Sequence, residues 1–342
     1  MTARYAVLHC LLLALCASAA DATEDYRGWG YLVDKLIRDG VDPARVVAVF
    51  EDPRMEPFDG LEFGLAPREP HSIYAGFLRA PSITAARRCR ATHAVALSAA
   101  AGAYGVPANL VAAILHIETG CGQRTGSSLI LYRLARLAMA NEPANLRVNM
   151  ARLAEGDPVI EERVRARARY LEDTFFPEVR AAFDLADRLR VDPLTLRGSS
   201  SGALGDPQFL PTNYLRYGTD ADGDGRIDLF DIADAAASCA RYLAAEGWHA
   251  GMSEAERRAV IWRYNRSEAY VDTVLSLAHR LDGPDDSLAT RARTKKTVRA
   301  PAHATAVRRP PAHRAQSGAS GKPARSNRKP SAARGGRSPA VS

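Results

Sequence analysis

The chain has 342 residues, 46% of them hydrophobic and 25% charged, with 46 Lys/Arg against 39 Asp/Glu and a formal net charge of +7. That length supports one large or two modest domains, and past the first twenty residues no run approaches the ~18 consecutive apolar residues of a membrane span. Five scattered cysteines are too few for a zinc site or a disulfide scaffold.

Residues 1–20 read as a secretory signal peptide. Arg4 is followed by the apolar run Ala6–Cys16 and then by Ala17-Ser18-Ala19-Ala20. Leu15 is larger than the residue that lipoprotein boxes place before their cysteine, which argues against lipid anchoring at Cys16. Cleavage near Ala20 removes Cys10 and Cys16. Cys89, Cys121 and Cys239 then allow one disulfide and one free thiol, and the sequence does not choose the pair. No histidine-bearing motif supports Cys121 as a nucleophile.

The exported part reads as mostly α. Helices are predicted over Tyr26–Arg38 and Pro43–Phe50, a small helical region within 21–80 whose remainder, 51–80, is rich in Pro and Gly. A helix is predicted through Ala85–Tyr104, followed directly by one between Pro107 and Gly120. Further helices are expected over Ile130–Ala140, Pro158–Leu189 with a break at Pro177, Asp231–Glu246, Ser253–Tyr264 and Ala269–Leu281. No alternating strand pattern stands out. Residues 284–342 form a Pro/Ala/Arg-rich tail, and from Ser287 onward they hold 14 Lys/Arg and no Asp/Glu. Such a tail cannot bury enough apolar surface to order itself, and it suits an anionic polymer or membrane surface, or simply solubility. Without interleaved aromatics it is no base-stacking platform, and no nucleic acid partner is expected.

Three stretches carry chemistry. In Val106–Gly122, VPANLVAAILHIETGCG, Leu110, Val111, Ile114, Leu115 and Ile117 recur at helical spacing, and Glu118 shares a face with Leu115 and Val111. A carboxyl at the last turn of an apolar helix either meets solvent, pairs with an arginine, or is held protonated by desolvation as a general acid; the negative end of the helix dipole pushes the same way. Gly198–Tyr214, GSSSGALGDPQFLPTNY, offers Ser199, Ser200, Ser201, Gln208 and Asn213 as uncharged hydrogen-bonding groups, in an ordinary loop or against an amide- and hydroxyl-rich ligand. Asp220–Asp231, DADGDGRIDLFD, fits a twelve-residue EF-hand loop. Asp220, Asp222 and Asp224 stand at positions 1, 3 and 5, Gly225 at 6, the Arg226 carbonyl at 7, Asp228 at 9, and Asp231 at 12 where Glu is usual. One isolated loop of this kind suits a structural Ca2+ better than a sensor.

The order IETGCG, SGALGDPQFLPTNY, EF-hand loop and YNRSEAYV, with EPHSIYAGFL at 69–78, resembles the membrane-bound lytic murein transglycosylase B family over about residues 25–283. The resemblance implies a lysozyme-like catalytic core at 81–283 with the calcium loop inserted at 220–231. It implies Glu118 as the single acid/base, and Ser199, Gln208, Tyr264, Asn265 and Tyr270 as substrate-binding residues. The metal ligands would be Asp220, Asp222, Asp224, Arg226, Asp228 and Asp231. Peptidoglycan glycan strands are the implied substrate, cleaved at the MurNAc-β-1,4-GlcNAc bond to leave 1,6-anhydroMurNAc ends in the periplasm. The resemblance also admits other cell-wall enzymes as partners. Two departures stand out: Cys121 replaces a tryptophan, and Asp206-Pro207 replaces an aromatic-glycine pair. A hydrolytic muramidase using Asp206 to activate water, or a non-catalytic peptidoglycan-binding scaffold, are the alternative readings.

Overall fold

The computed structural model describes residues 25–65 and 69–281. The signal segment and the basic tail lie outside the described residues. Thirteen α-helices are described: α1 Gly30–Arg38, α2 Pro43–Glu51, α3 His71–Tyr74, α4 Ala80–Thr92, α5 Ala94–Tyr104, α6 Ala108–Thr119, α7 Ile130–Ala138, α8 Pro143–Ala154, α9 Pro158–Leu189, α10 Pro211–Tyr217, α11 Ile232–Ala245, α12 Glu254–Tyr264 and α13 Glu268–Leu281. None of them alone is long and apolar enough to cross a membrane. The two strands described are two residues each: β1 Ser128–Leu129 pairs antiparallel with β2 Arg197–Gly198.

The core is built around α6. Nine of its twelve residues are buried, including Leu110, Val111, Ile114, Leu115 and Ile117, and α4, α5, α11 and α13 flank it. Pro107 caps its start in an extended conformation, and Gly120 ends it in the left-handed region at φ +67°, where glycine pays no Cβ penalty. Several other starts are fixed by side-chain caps. Asp157 accepts from Val159 N–H at the head of α9, Asp231 from Ala233 N–H at the head of α11, and Ser253 and Glu256 form a capping box on α12.

Several expected boundaries differ. The first helix begins at Gly30, because Tyr26–Gly28 make a 3-10 turn with Arg27 at φ +60°. The span Ala85–Tyr104 is two helices that start earlier, at Ala80, and break at His93, whose φ/ψ of −106°/27° is non-helical. No break occurs at Pro177. Buried Phe175, Val179, Ala182 and Phe183 carry one apolar stripe past it, and packing of α9 on α7, α8 and α10 offsets the roughly 3 kcal/mol cost of an interior proline. Helices α3, in the stretch 51–80 read as loop-like, α8 and α10 were not anticipated. The buried face of α8 carries Asn145 and Asn149, which bind the 61–63 segment: Leu61 N–H donates to Asn145 Oδ1 at 2.7 Å and Asn149 Nδ2 to Leu61 O at 2.8 Å. Helix α10 emerges from the stretch read as a loop, with Glu178 of α9 accepting from Thr212 N–H at 2.9 Å.

Candidate active site

Glu118 lies in the last turn of α6, half-buried in a run of otherwise buried residues. The hydroxyl of Tyr270, on α13, donates to Glu118 Oε1 at 2.6 Å. Burial pushes the Glu118 carboxyl up from 4.5 to about 7; the Tyr270 hydrogen bond pulls it back, and the nearby charge of Glu69 adds to the rise. Two conditions for a general acid at neutral pH are thus met, a desolvated carboxyl and a titration point near 7.

Aromatic rings surround it. Tyr264, at the end of α12, stacks on Tyr270 with centroids 6.4 Å apart and ring planes 7° apart, and its hydroxyl donates to Pro207 O at 2.5 Å. Tyr74 of α3 meets Tyr270 edge-on at 5.8 Å. Its hydroxyl donates to Glu69 Oε2 at 2.6 Å and accepts from Asn265 Nδ2 at 3.4 Å. Burial raises both Tyr264 and Tyr270 well above the usual tyrosine range, so both stay protonated. The structure therefore brings Glu118, Tyr264, Asn265 and Tyr270 together.

Ser199 and Gln208 occupy the 198–209 segment. Ser199 Oγ accepts from Ala203 N–H at 3.1 Å, so it shapes the turn that β2 enters. Gln208 sits at φ +51°, and its Nε2 donates to Gly205 O at 2.9 Å and Thr125 O at 3.4 Å. That links the segment to the loop just after α6.

Sequence reasoning missed Glu69 and Tyr74 as site residues. Both stand in the EPHSIYAGFL segment, but nothing in its pattern says that α3 folds back onto Tyr270. The same is true of Cys239, buried on α11, whose thiol Glu118 helps push up, after burial. The cysteine pairing left open resolves as Cys89–Cys121, with Cys239 free. Asp206 is 3% exposed. Among the described residues its Oδ1 has no hydrogen-bond partner, and burial, then Asp228 and Asp231, push it up to about 6.

The acidic loop is a separate cluster. Carboxylates of Asp220, Asp222 and Asp224 come within one cation's reach of each other, as do those of Asp222, Asp231 and Asp234. The loop is prewound by its own aspartates: Asp220 accepts from Gly223 and Gly225 N–H, Asp222 from Asp224 N–H and Asp224 from Arg226 N–H, at 2.7–3.0 Å. Asp228 belongs to neither group, and its Oδ1 accepts from Phe230 N–H at 2.9 Å. Asp234, not anticipated, accepts from Ala221 N–H at 2.7 Å and Asp228 N–H at 2.8 Å, tying both ends of the loop to α11. An all-oxygen donor set of this kind fits a hard cation such as Ca2+. The loop reaches the 198–209 segment through Asp206 N–H, which donates to Leu229 O at 2.7 Å.

Residues 31–258 match the family model described as the transglycosylase SLT domain. The chain is 35% identical over 156 residues to the membrane-bound lytic murein transglycosylase B of Escherichia coli (strain K12), 46% of this chain and 36% of that protein. The match thus spans about a third of the relative's length. Among solved structures, Escherichia coli lytic transglycosylase Slt35 in complex with calcium aligns with a TM-score of 0.54 at 22% identity, over 76% of this chain and 93% of that one. SltB3 of Pseudomonas aeruginosa in complex with NAG-NAM-pentapeptide aligns with a TM-score of 0.54 at 22% identity, over 77% and 80%. Those likenesses establish a shared fold.

Proposed function

Because this chain belongs to the transglycosylase SLT domain family, we propose that it is a periplasmic lytic transglycosylase acting on peptidoglycan, with Glu118 as its single acid/base. The observation that carries this is the Glu118–Tyr270 pair. Tyr270 occupies Oε1 as a donor, which leaves Oε2 to carry the proton that a carboxyl with a pKa of about 7 retains near neutrality. Glu118 donates that proton to the oxygen linking N-acetylmuramic acid to N-acetylglucosamine. The substrate's own acetamido group stabilises the oxocarbenium-like centre. The resulting carboxylate then takes the proton of the muramic C6 hydroxyl as that oxygen closes on C1, leaving a 1,6-anhydro end and consuming no water.

A single carboxyl suffices because the nucleophile is internal, whereas hydrolytic glycosidases generally need a second one. Glu69 is engaged by Tyr74. Asp206 is closed off from solvent and packed against Gly122, where an added Cβ would lie 2.9 Å from its Oδ1; both facts weigh against a water-activating base and so against a muramidase. Asn265, Ser199 and Gln208 carry uncharged amide and hydroxyl groups of the kind that suit the amides and hydroxyls of the glycan. A positioned proton donor of this kind contributes roughly 10²–10⁴-fold in rate.

We further infer that the 220–231 loop holds Ca2+ through Asp220, Asp222, Asp224, Asp228, Asp231 and the Arg226 carbonyl, as a structural staple. Digestion of peptidoglycan in heavy-oxygen water tests the reaction class. Anhydro-muropeptides without the heavy isotope are expected, and reducing muramic ends carrying it would make the enzyme a hydrolase.

A further inference from the structure

Directly after the Glu118 turn the backbone passes through three consecutive left-handed residues: Gly120 at φ +67°, Cys121 at +58° and Gly122 at +79°. The two glycines adopt this region freely, but Cys121 carries a Cβ that opposes it. Cys121 is also the residue bonded to Cys89 of α4. The turn is tightly interlocked. Gly120 N–H donates to His116 O at 2.9 Å and Cys121 N–H to Leu115 O at 3.0 Å. Thr119 Oγ1 accepts from Gly122 N–H at 2.9 Å and lies 3.2 Å from Asp206 O. Arg124 N–H returns to Thr119 O at 2.9 Å.

We propose that the Cys89–Cys121 disulfide is a positioning device for the candidate acid: it holds Cys121 in the left-handed turn that ends α6 one residue past Glu118, and so keeps that carboxyl against the Tyr270 hydroxyl. The inference rests on reading Glu118 as the acid. A left-handed non-glycine residue persists only where its surroundings over-determine it. With the cross-link gone, Cys121 regains its right-handed and extended wells. The last turn of α6 then frays or winds on, and either change hydrates or rotates Glu118. The groups that face Glu118 are Glu69 on the segment before α3, Tyr74 on α3, Cys239 on α11, Tyr264 at the end of α12 and Tyr270 on α13. None of these lies in the turn or on α4, so cutting the disulfide perturbs the helix end and leaves them in place.

The test is a graded series in which Cys89→Ala is combined with Cys121→Asn, Cys121→Ala or Cys121→Val. All three lose the same cross-link, but Asn tolerates the left-handed region, Ala less so, and β-branched Val least. The Asn variant is expected to keep kcat within about threefold of the wild type, and the Ala variant to lose about tenfold, the Boltzmann weight of the left-handed penalty. The Val variant should lose more, with KM little changed throughout. Carbon-13 NMR titration of the Glu118 carboxyl, which needs no turnover, should show its midpoint falling from about 7 in the same order, because burial is the larger influence and its loss outweighs the loss of the Tyr270 bond. Equal rates and equal midpoints across the series would mean the disulfide only cross-links the fold, and would overturn the proposal. A wild type that releases no peptidoglycan product would defeat the functional reading, while the titration series would still decide the positioning role.

Discussion

Glu118 titrates high because burial at the end of α6 penalises its charge more than the Tyr270 hydrogen bond favours it. Two outcomes follow from that balance. Tyr270→Phe removes the group that pulls the pKa down, so the alkaline limb of the pH–rate profile, near pH 7 in the wild type, should move upward while the maximal rate falls. A profile that stays in place would mean that Tyr270 does not bond the ionised form. The second outcome concerns stability. Glu118 has a folded pKa of about 7 against 4.5 for the free group, so the folded state binds the proton more tightly. Its burial therefore costs nothing below about pH 4.5, the cost grows between there and pH 7, and it is complete above pH 7. At about 1.4 kcal/mol per pH unit, Glu118→Gln should stabilise the fold by roughly 3–4 kcal/mol above pH 7 and by almost nothing at pH 4. Thermal melts at the two pH values check this; equal shifts at both would contradict it.

At the scale of elements, α6 was legible and its neighbours were less so. Pro107, the apolar spacing and Gly120 bound α6 without reference to any other part of the chain. Helix α8 escaped because its buried face is polar: Asn145 and Asn149 bind backbone groups 84–88 residues away, contacts that no local pattern encodes. Pro177 misled for a related reason, since tertiary packing of α9 overrides a local breaker. The pairing of Cys89 with Cys121, and the return of Glu69 and Tyr74 onto Tyr270, likewise depend on how helices cross rather than on what each one contains. The turn between α6 and β1 is where such long-range geometry is tightest. A Cβ at Gly126 would lie 2.2 Å from Gly198 O, and its φ is +88°. Gly126→Ala should therefore separate β1 from β2 and cost on the order of 3 kcal/mol, read as a drop in chemical-denaturation stability with loss of glycan cleavage. A neutral substitution would show that the two strands tolerate a wider spacing.

For the whole molecule, the acidic loop is joined to the 198–209 segment by a short path that includes the Asp206 N–H to Leu229 O hydrogen bond. That path predicts a staple and not a switch. Calcium should raise the melting temperature progressively with the logarithm of its concentration, with a gain in stability of about 2.7 kcal/mol at a hundredfold excess over its dissociation constant. Asp222 belongs to both acidic groups, so Asp222→Asn should remove most of that gain while leaving the pH profile of cleavage unmoved. Melts with calcium and with chelator, for both proteins, decide the point; a wild type indifferent to chelator would leave the loop as an acidic turn. The central claim, that Glu118 alone supplies the proton and takes it back, has a more direct test. Purified wild type and Glu118→Gln are incubated with peptidoglycan, and the soluble muropeptides are identified by mass spectrometry. The account predicts 1,6-anhydromuramoyl ends from the wild type and a loss of at least about 10²-fold in the variant. Anhydro products released at an undiminished rate by Glu118→Gln would contradict it.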